Sequence, residues 1–120
     1  MSKMQLIIAG GREFKDYITL RSEFIKFVAD HKRSDVTVIS GMARGADTLG
    51  LHLAEEYSLP VITMPANWDL HGKPAGHIRN AEMAKIATHL LVAWDGKSPG
   101  TKGMITLAKK HNLVTKIINY

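Results

Sequence analysis

The sequence predicts an α/β fold: a Rossmann-like three-layer sandwich whose five-stranded parallel sheet runs in the order 3-2-1-4-5. Three observations predict it. Short apolar runs alternate with amphipathic helical patterns along all 120 residues. The runs are mostly apolar, as expected of parallel strands covered on both faces and joined by helical crossovers. Glycine-bracketed turns follow the first, second and fourth runs. The order 3-2-1-4-5, with right-handed crossovers, brings those three strand ends together at the topological switch point.

The first run, Met4–Ala9, reads as a buried strand, and residues 16 to 29 read as a helix with Leu20, Phe24, Phe27 and Val28 on one face. Val36–Ser40 is the second strand. Ala46–Tyr57 follows as a helix, with Ala46, Leu49, Gly50, Leu53 and Tyr57 at helical spacing. Pro60–Met64 is a short third strand that starts on a proline, which suits an edge. A third helix spans Gly76–Ala87, carrying Ile78, Met83, Ile86 and Ala87, and His89–Trp94 is the fourth strand. Thr101–His111 reads as the fourth helix and Val114–Ile118 as the fifth strand. No linker, repeat or low-complexity tract interrupts residues 1–120, so the expectation is one domain.

Composition narrows the classes of function. The chain has 45% hydrophobic and 22% charged residues, ordinary for a globular protein, and contains no apolar run of the ~20 residues that span a bilayer. It has no cysteine, which excludes disulfides, Fe–S clusters and thiolate zinc sites. Without a signal-peptide core near Met1, a cytoplasmic location is expected. The net charge of +5 is scattered rather than clustered, so it admits an anionic partner without specifying nucleic acid.

The turns carry the candidate chemistry. Val36–Ser40 runs into Gly41-Met42-Ala43-Arg44-Gly45-Ala46-Asp47, where a strand feeds a glycine-bracketed bend and a helix start. Such a junction gathers free backbone N–H groups at one point, a device for holding phosphate. The device recurs at Gly10-Gly11-Arg12 and at Asp95-Gly96-Lys97-Ser98-Pro99-Gly100-Thr101. Each glycine alone is an ordinary turn residue. Their convergence at the switch point predicts one crevice, rimmed by Arg12, Arg44, Lys97 and Lys102. Ser98 and Thr101 are either N-caps of the fourth helix or hydroxyl donors to the same phosphate. Gly96-Lys97-Ser98 is not a phosphate-loop NTPase motif, because Leu91 stands where that motif needs its first glycine and Pro99 is expected to interrupt the helix that should follow.

The polar segment 65–80 is long for a connector and reads as a lid. Trp68 is suited to stack on a base or to plug the core, and Arg79 and Asn80 are placed to grip phosphate or ribose. Trp94, at a strand end, reads as core. The six histidines lack helical zinc spacing, so no metal site is predicted. Asp47 and Asp69 are the carboxylates that could serve catalysis, and Asp95 could hold a ribose. Each could equally cap a turn or pair with an arginine.

Taken in order, Ile8–Phe14, Ser40–Asp47, Pro65–Trp68, Gly76–Asn80 and Trp94–Lys102 resemble the SLOG superfamily, and most closely its YspA-type (cpYpsA-related) domains of bacteria and phages. The resemblance covers nearly the whole chain. It implies a Rossmann-like domain binding a nucleotide or nucleotide-derived ligand, such as a nucleotide sugar or an ADP-ribose-like signal, with no other cofactor required. Ser98-Pro99-Gly100-Thr101 is also similar to a turn of the Lonely Guy phosphoribohydrolases. That family places a glutamate three residues after the threonine, where this chain has Met104, which argues against the same hydrolysis. Ser40, Gly41, Ala43 and Gly45 match a turn of the DNA-processing protein A family, which binds single-stranded DNA.

The leading expectation is therefore a nucleotide-binding module. Gly10, Gly11 and Arg12 line one side, with Gly41, Arg44, Gly45 and Asp47 as the floor. Gly96, Gly100, Thr101 and Lys102 form the phosphate turn, and Trp68, Arg79 and Asn80 close the top. The alternatives are N-glycosidic cleavage or transfer, using Asp47 or Asp69, and single-stranded nucleic-acid binding at the same rim. Relatives with this fold often pair, so a homo-oligomer is also expected.

Overall fold

The computed structural model describes residues 3–120. Five strands, β1 (Met4–Gly10), β2 (Val36–Ser40), β3 (Val61–Thr63), β4 (His89–Trp94) and β5 (Val114–Asn119), form one sheet ordered β3-β2-β1-β4-β5. All four pairings are parallel. The predicted architecture and strand order are those observed. The helices are α1 (Tyr17–Phe27), α2 (Ala46–Glu56), α3 (Trp68–His71), α4 (Ala75–Ile86) and α5 (Pro99–Lys110).

Side chains that alternate across β1 separate the interior into two cores. Leu6 and Ile8 point into a core completed by Leu20 and Phe24 of α1 and by Leu53 and Ala54 of α2. Ile7 and Ala9 point the other way, onto Met83 and Ala84 of α4 and Met104, Ile105 and Ala108 of α5. Central strands with two buried faces must be apolar at every position, and Leu90, Leu91, Val92 and Ala93 of β4 are all fully buried.

The departures from the expected elements have local causes. Asp16 is not helical; its carboxylate caps α1 by accepting from the Thr19 amide at 3.0 Å. Pro60 stays outside β3, and its carbonyl accepts from the Val38 amide at 2.9 Å. Residues 65–80 contain the extra helix α3, a single turn capped by the Asn67 side chain on the Leu70 amide at 3.1 Å. Pro99 does not interrupt the last helix but opens it at the first position, where a missing N–H is harmless. That helix consequently begins two residues before the expected start, and Thr101 lies inside it. Among the described residues, no helix is long and apolar enough to cross a membrane.

Candidate functional site

The ends of β1, β2 and β4 lie side by side, and the chain leaves each through a glycine turn. Between them opens a cavity of about 630 Å³ at the C-terminal edge of the sheet. Gly10 at the end of β1 with Gly11 and Arg12 after it, Ala43 and Asp47 after β2, and Asp95 and Ser98–Thr101 after β4 line it. Trp68 of α3 and Gly76, Arg79 and Asn80 of α4 complete the wall. The switch-point rule thus locates the crevice for this chain.

The turns reach this packing because their glycines let backbones touch. Gly45 has φ +80° and ψ −127°, a region closed to other residues, and a Cβ there would lie 2.3 Å from the Gly11 carbonyl oxygen. The Gly11 carbonyl in turn accepts from the Ala46 and Phe14 amides, both at 3.2 Å, which ties the first turn to the second. Gly41 serves a different purpose. Its missing side chain admits the Arg79 guanidinium, whose atoms would lie 2.5–3.0 Å from a Cβ.

Arg79 is the best-held cation of the cavity. Its Nη1 donates to the Gly41 carbonyl and its Nε donates to Asn80 Oδ1 at 2.8 Å. Nη2 has no protein acceptor among the described residues. Burial lowers the Arg79 pKa, with Asp47 acting in the opposite direction and Arg12 adding to the fall.

Asp47 is 4% exposed in the first turn of α2. Burial pushes its carboxyl up to about 6, against the opposing pull of the Ala43 amide, the Arg79 charge and the Gly10 amide. Its Oδ2 accepts from the Ala43 amide at 3.3 Å. Asp95 is the opposite case. It is exposed, and its carboxylate accepts from the Ser98 amide at 2.8 Å, the Lys97 amide at 2.9 Å and the Ser98 hydroxyl at 2.9 Å. Those bonds hold its pKa below the usual carboxylate value. They also engage both oxygens, so its wall position comes with a structural commitment to the turn.

With its hydroxyl on Asp95, Ser98 occupies the cap position of α5 without capping through its side chain. Among the described residues, the Gly100 and Thr101 amides then have no acceptor, as befits the second and third residues of an uncapped helix. Two turn amides are already used: Gly11 donates to the Ala93 carbonyl at 3.1 Å and Met42 to Ser40 Oγ at 3.1 Å. Free donors of the crevice therefore include the first-turn amides of α5, the Gly76 and His77 amides in the first turn of α4, and the Arg79 guanidinium.

Other expected site residues lie elsewhere. Gly41 and Arg44 line an adjoining recess rather than the main cavity. Gly45 lines a third groove, with Arg12 and Phe14, instead of the main cavity. Gly96, Lys97, Lys102 and the exposed Asp69 of α3 line neither the cavity nor the recess. Trp94 is only partly buried, and its indole donates to the Ser98 carbonyl at 3.2 Å.

The cavity also contains residues not singled out as candidates: Glu13, Lys73, His77 and Tyr120. The Tyr120 ring packs on Phe14 at 5.0 Å, and its hydroxyl lies over Gly11, 1.8 Å from where a Cβ would be. An aromatic two residues past the end of the fifth apolar run, level with the other strand ends, is the signal that could have revealed it. Among the described residues, no cluster of three or more histidine, cysteine or carboxylate side chains could hold a metal.

The DNA processing protein A (DprA) of Streptococcus pneumoniae shares the fold at a TM-score of 0.74 and 14% identity, over 97% of this chain and 50% of that one. DprA of Helicobacter pylori, solved for its single-stranded DNA binding mode, gives 0.63 and 15%, over 97% of this chain and 65% of that one. This chain therefore spans half to about two thirds of those proteins. Gene 61 protein of Mycobacterium phage D29 is 30% identical over 125 residues, covering 97% of this chain and 95% of that protein. The family model described as YspA, cpYpsA-related SLOG matches residues 4–71, more than half of the sequence and the part holding the first two glycine turns. With that match and the phage relative together, the chain belongs to the YspA, cpYpsA-related SLOG family.

Proposed function

We propose that the crevice binds a phosphorylated nucleotide unit. The observation that supports this reading is the pair of unpaired amides, Gly100 and Thr101, at the start of a twelve-residue helix on the cavity wall. Helix N-termini favour anions through these amides and through the aligned peptide dipoles. Arg79, from α4, adds a guanidinium that is anchored by its neighbours and keeps one edge free. Trp68, half exposed at the rim, offers an aromatic face for a base. The reading is binding rather than phosphoribohydrolase-type cleavage, because the position three after Thr101 carries Met104; of the two carboxylates weighed for catalysis, Asp69 lies outside the cavity and Asp47, in its wall, holds the Ala43 amide.

Calorimetry or thermal-shift titration with nucleoside 5′-monophosphates tests this directly. A ligand that binds only the folded state raises the melting midpoint, and Arg79→Ala should weaken binding by roughly tenfold or more. Unchanged melting at millimolar nucleotide would overturn the proposal.

A second reading, single-stranded nucleic acid at the same rim, is favoured by the comparison with Helicobacter pylori DprA, solved for its single-stranded DNA binding mode. The comparisons lean toward this reading, and the walled cavity leans toward a small ligand. Affinity that grows with oligonucleotide length and falls steeply with salt would select the strand.

A further inference from the structure

We infer that the crevice continues past Trp68 into a second anion recess, so that its ligand carries two phosphates flanking one stacked base. The inference rests on the nucleotide reading above and extends it to a class of ligand.

A separate cavity of about 430 Å³ adjoins the first, and Arg12, Trp68 and Arg79 line both. The second is walled by the turn from Gly41 to Arg44 and by Pro65 at the base of the lid. Three guanidiniums thus meet there from three separate segments: after β1, after β2 and on α4. Its wall contains no carboxylate, whereas the first cavity includes Glu13, Asp47 and Asp95. Arg12 has no hydrogen bond or ion pair among the described residues. Arg44 meets Glu13 at 3.1 Å, but both side chains are more than 70% exposed, so the pair is weak. Arg12 stands near enough to Arg79 to oppose its protonation. With only an exposed Glu13 on Arg44 and Asp47 near Arg79 to offset them, three gathered guanidiniums are further relieved when an anion enters.

The position of Trp68 decides what kind of anion. Its side chain is 51% exposed and forms part of the partition between the two cavities. A base stacked on it sends one phosphate toward α5 and the other toward Arg44. Adjoining phosphates, as in a nucleoside diphosphate, would share the first cavity and leave Arg44 unmet. The chemistry that fits is a nucleoside 3′,5′-bisphosphate unit, free or as one link of a single strand.

The test compares nucleoside 5′-monophosphates, 5′-diphosphates and 3′,5′-bisphosphates of adenosine and thymidine by calorimetry on the full chain. The bisphosphate should bind roughly tenfold tighter than the monophosphate. In Arg44→Ala, whose side chain is exposed, that ratio should fall toward one while the melting midpoint stays near the parent's. A short oligothymidylate that gains further over the bisphosphate identifies the strand as the source, and one that gains nothing identifies the free nucleotide; either result upholds two flanking phosphates. A bisphosphate no tighter than the monophosphate overturns the inference and leaves the nucleotide reading intact. A diphosphate that equals the bisphosphate, with both gains lost in Arg44→Ala, also overturns it. If no nucleotide binds, the nucleotide reading fails and the inference fails with it.

Discussion

The turn after β2 and the turn after β4 look alike in sequence, each opening on a strand end and bracketed by two glycines, yet they are held together in different ways. The first is welded into the protein: Gly45 lies against the Gly11 and Arg12 backbone, and the Ala43 amide is held by buried Asp47. The second is closed on itself by exposed Asp95, and Gly100 has open space around it, with no atom within 4 Å of a Cβ position. The contrast teaches that a glycine-rich turn at a switch point can be either scaffold or docking surface. Which it is depends on where its amides and Cβ vectors point.

The largest break in that comparison should come from Gly45→Ala. The residue combines a glycine-only backbone conformation with a 2.3 Å approach to the Gly11 oxygen, so substitution should cost about 3 kcal/mol or more, read as a drop in the denaturant midpoint. A loss below about 1 kcal/mol would mean that the two turns are not locked together as described.

The two aspartates sharpen the contrast with opposite signs of pH dependence. Asp47 has a folded pKa of about 6, well above the ordinary carboxylate value, so the native state binds its proton more tightly than the unfolded chain does. Its contribution is fully present below about pH 4, declines as pH rises toward 6 and is flat above. That change of about two units corresponds to roughly 3 kcal/mol. Asp95 has its pKa lowered by the turn amides, so its contribution is present above its ordinary value and is lost as pH falls below it. Unfolding curves from pH 3 to 7 should show that Asp47→Asn removes a decline between about pH 4 and 6. Asp95→Asn should instead remove a loss confined to lower pH. Equal slopes in both variants would contradict the assignment of one buried and one exposed carboxylate.

Much of the fold was legible because parallel strands advertise themselves. The runs Met4–Ala9 and His89–Trp94 are apolar at nearly every position, and the crossover rule then leaves few orders for five strands. The crevice followed from the order. What the sequence did not reveal depends on contacts between distant segments. Gly41 reads as a turn glycine, but its φ is not positive, and its small size is used by Arg79, thirty-eight residues away. Asp95 reads as a ligand group, but three local donors take its carboxylate. Tyr120 enters the site only through the register that pairs Asn119 with Trp94. Helix α3 was hidden because a single turn has no periodicity to detect.

The smallest expected effect is the most discriminating between scaffold and docking surface. Gly100 is the second residue of α5, helical and exposed, with nothing for a Cβ to strike. Replacing it by alanine removes backbone freedom from the unfolded chain and should raise stability by up to about 1 kcal/mol, opposite in sign to Gly45→Ala. The same substitution adds a methyl group to the wall of the cavity, beside the free amides of Gly100 and Thr101. If those amides hold a phosphate, nucleotide affinity should fall even as the melting midpoint rises. A variant that gains stability and binds nucleotide as tightly as its parent would place the phosphate elsewhere, on Arg79 and Arg12 alone.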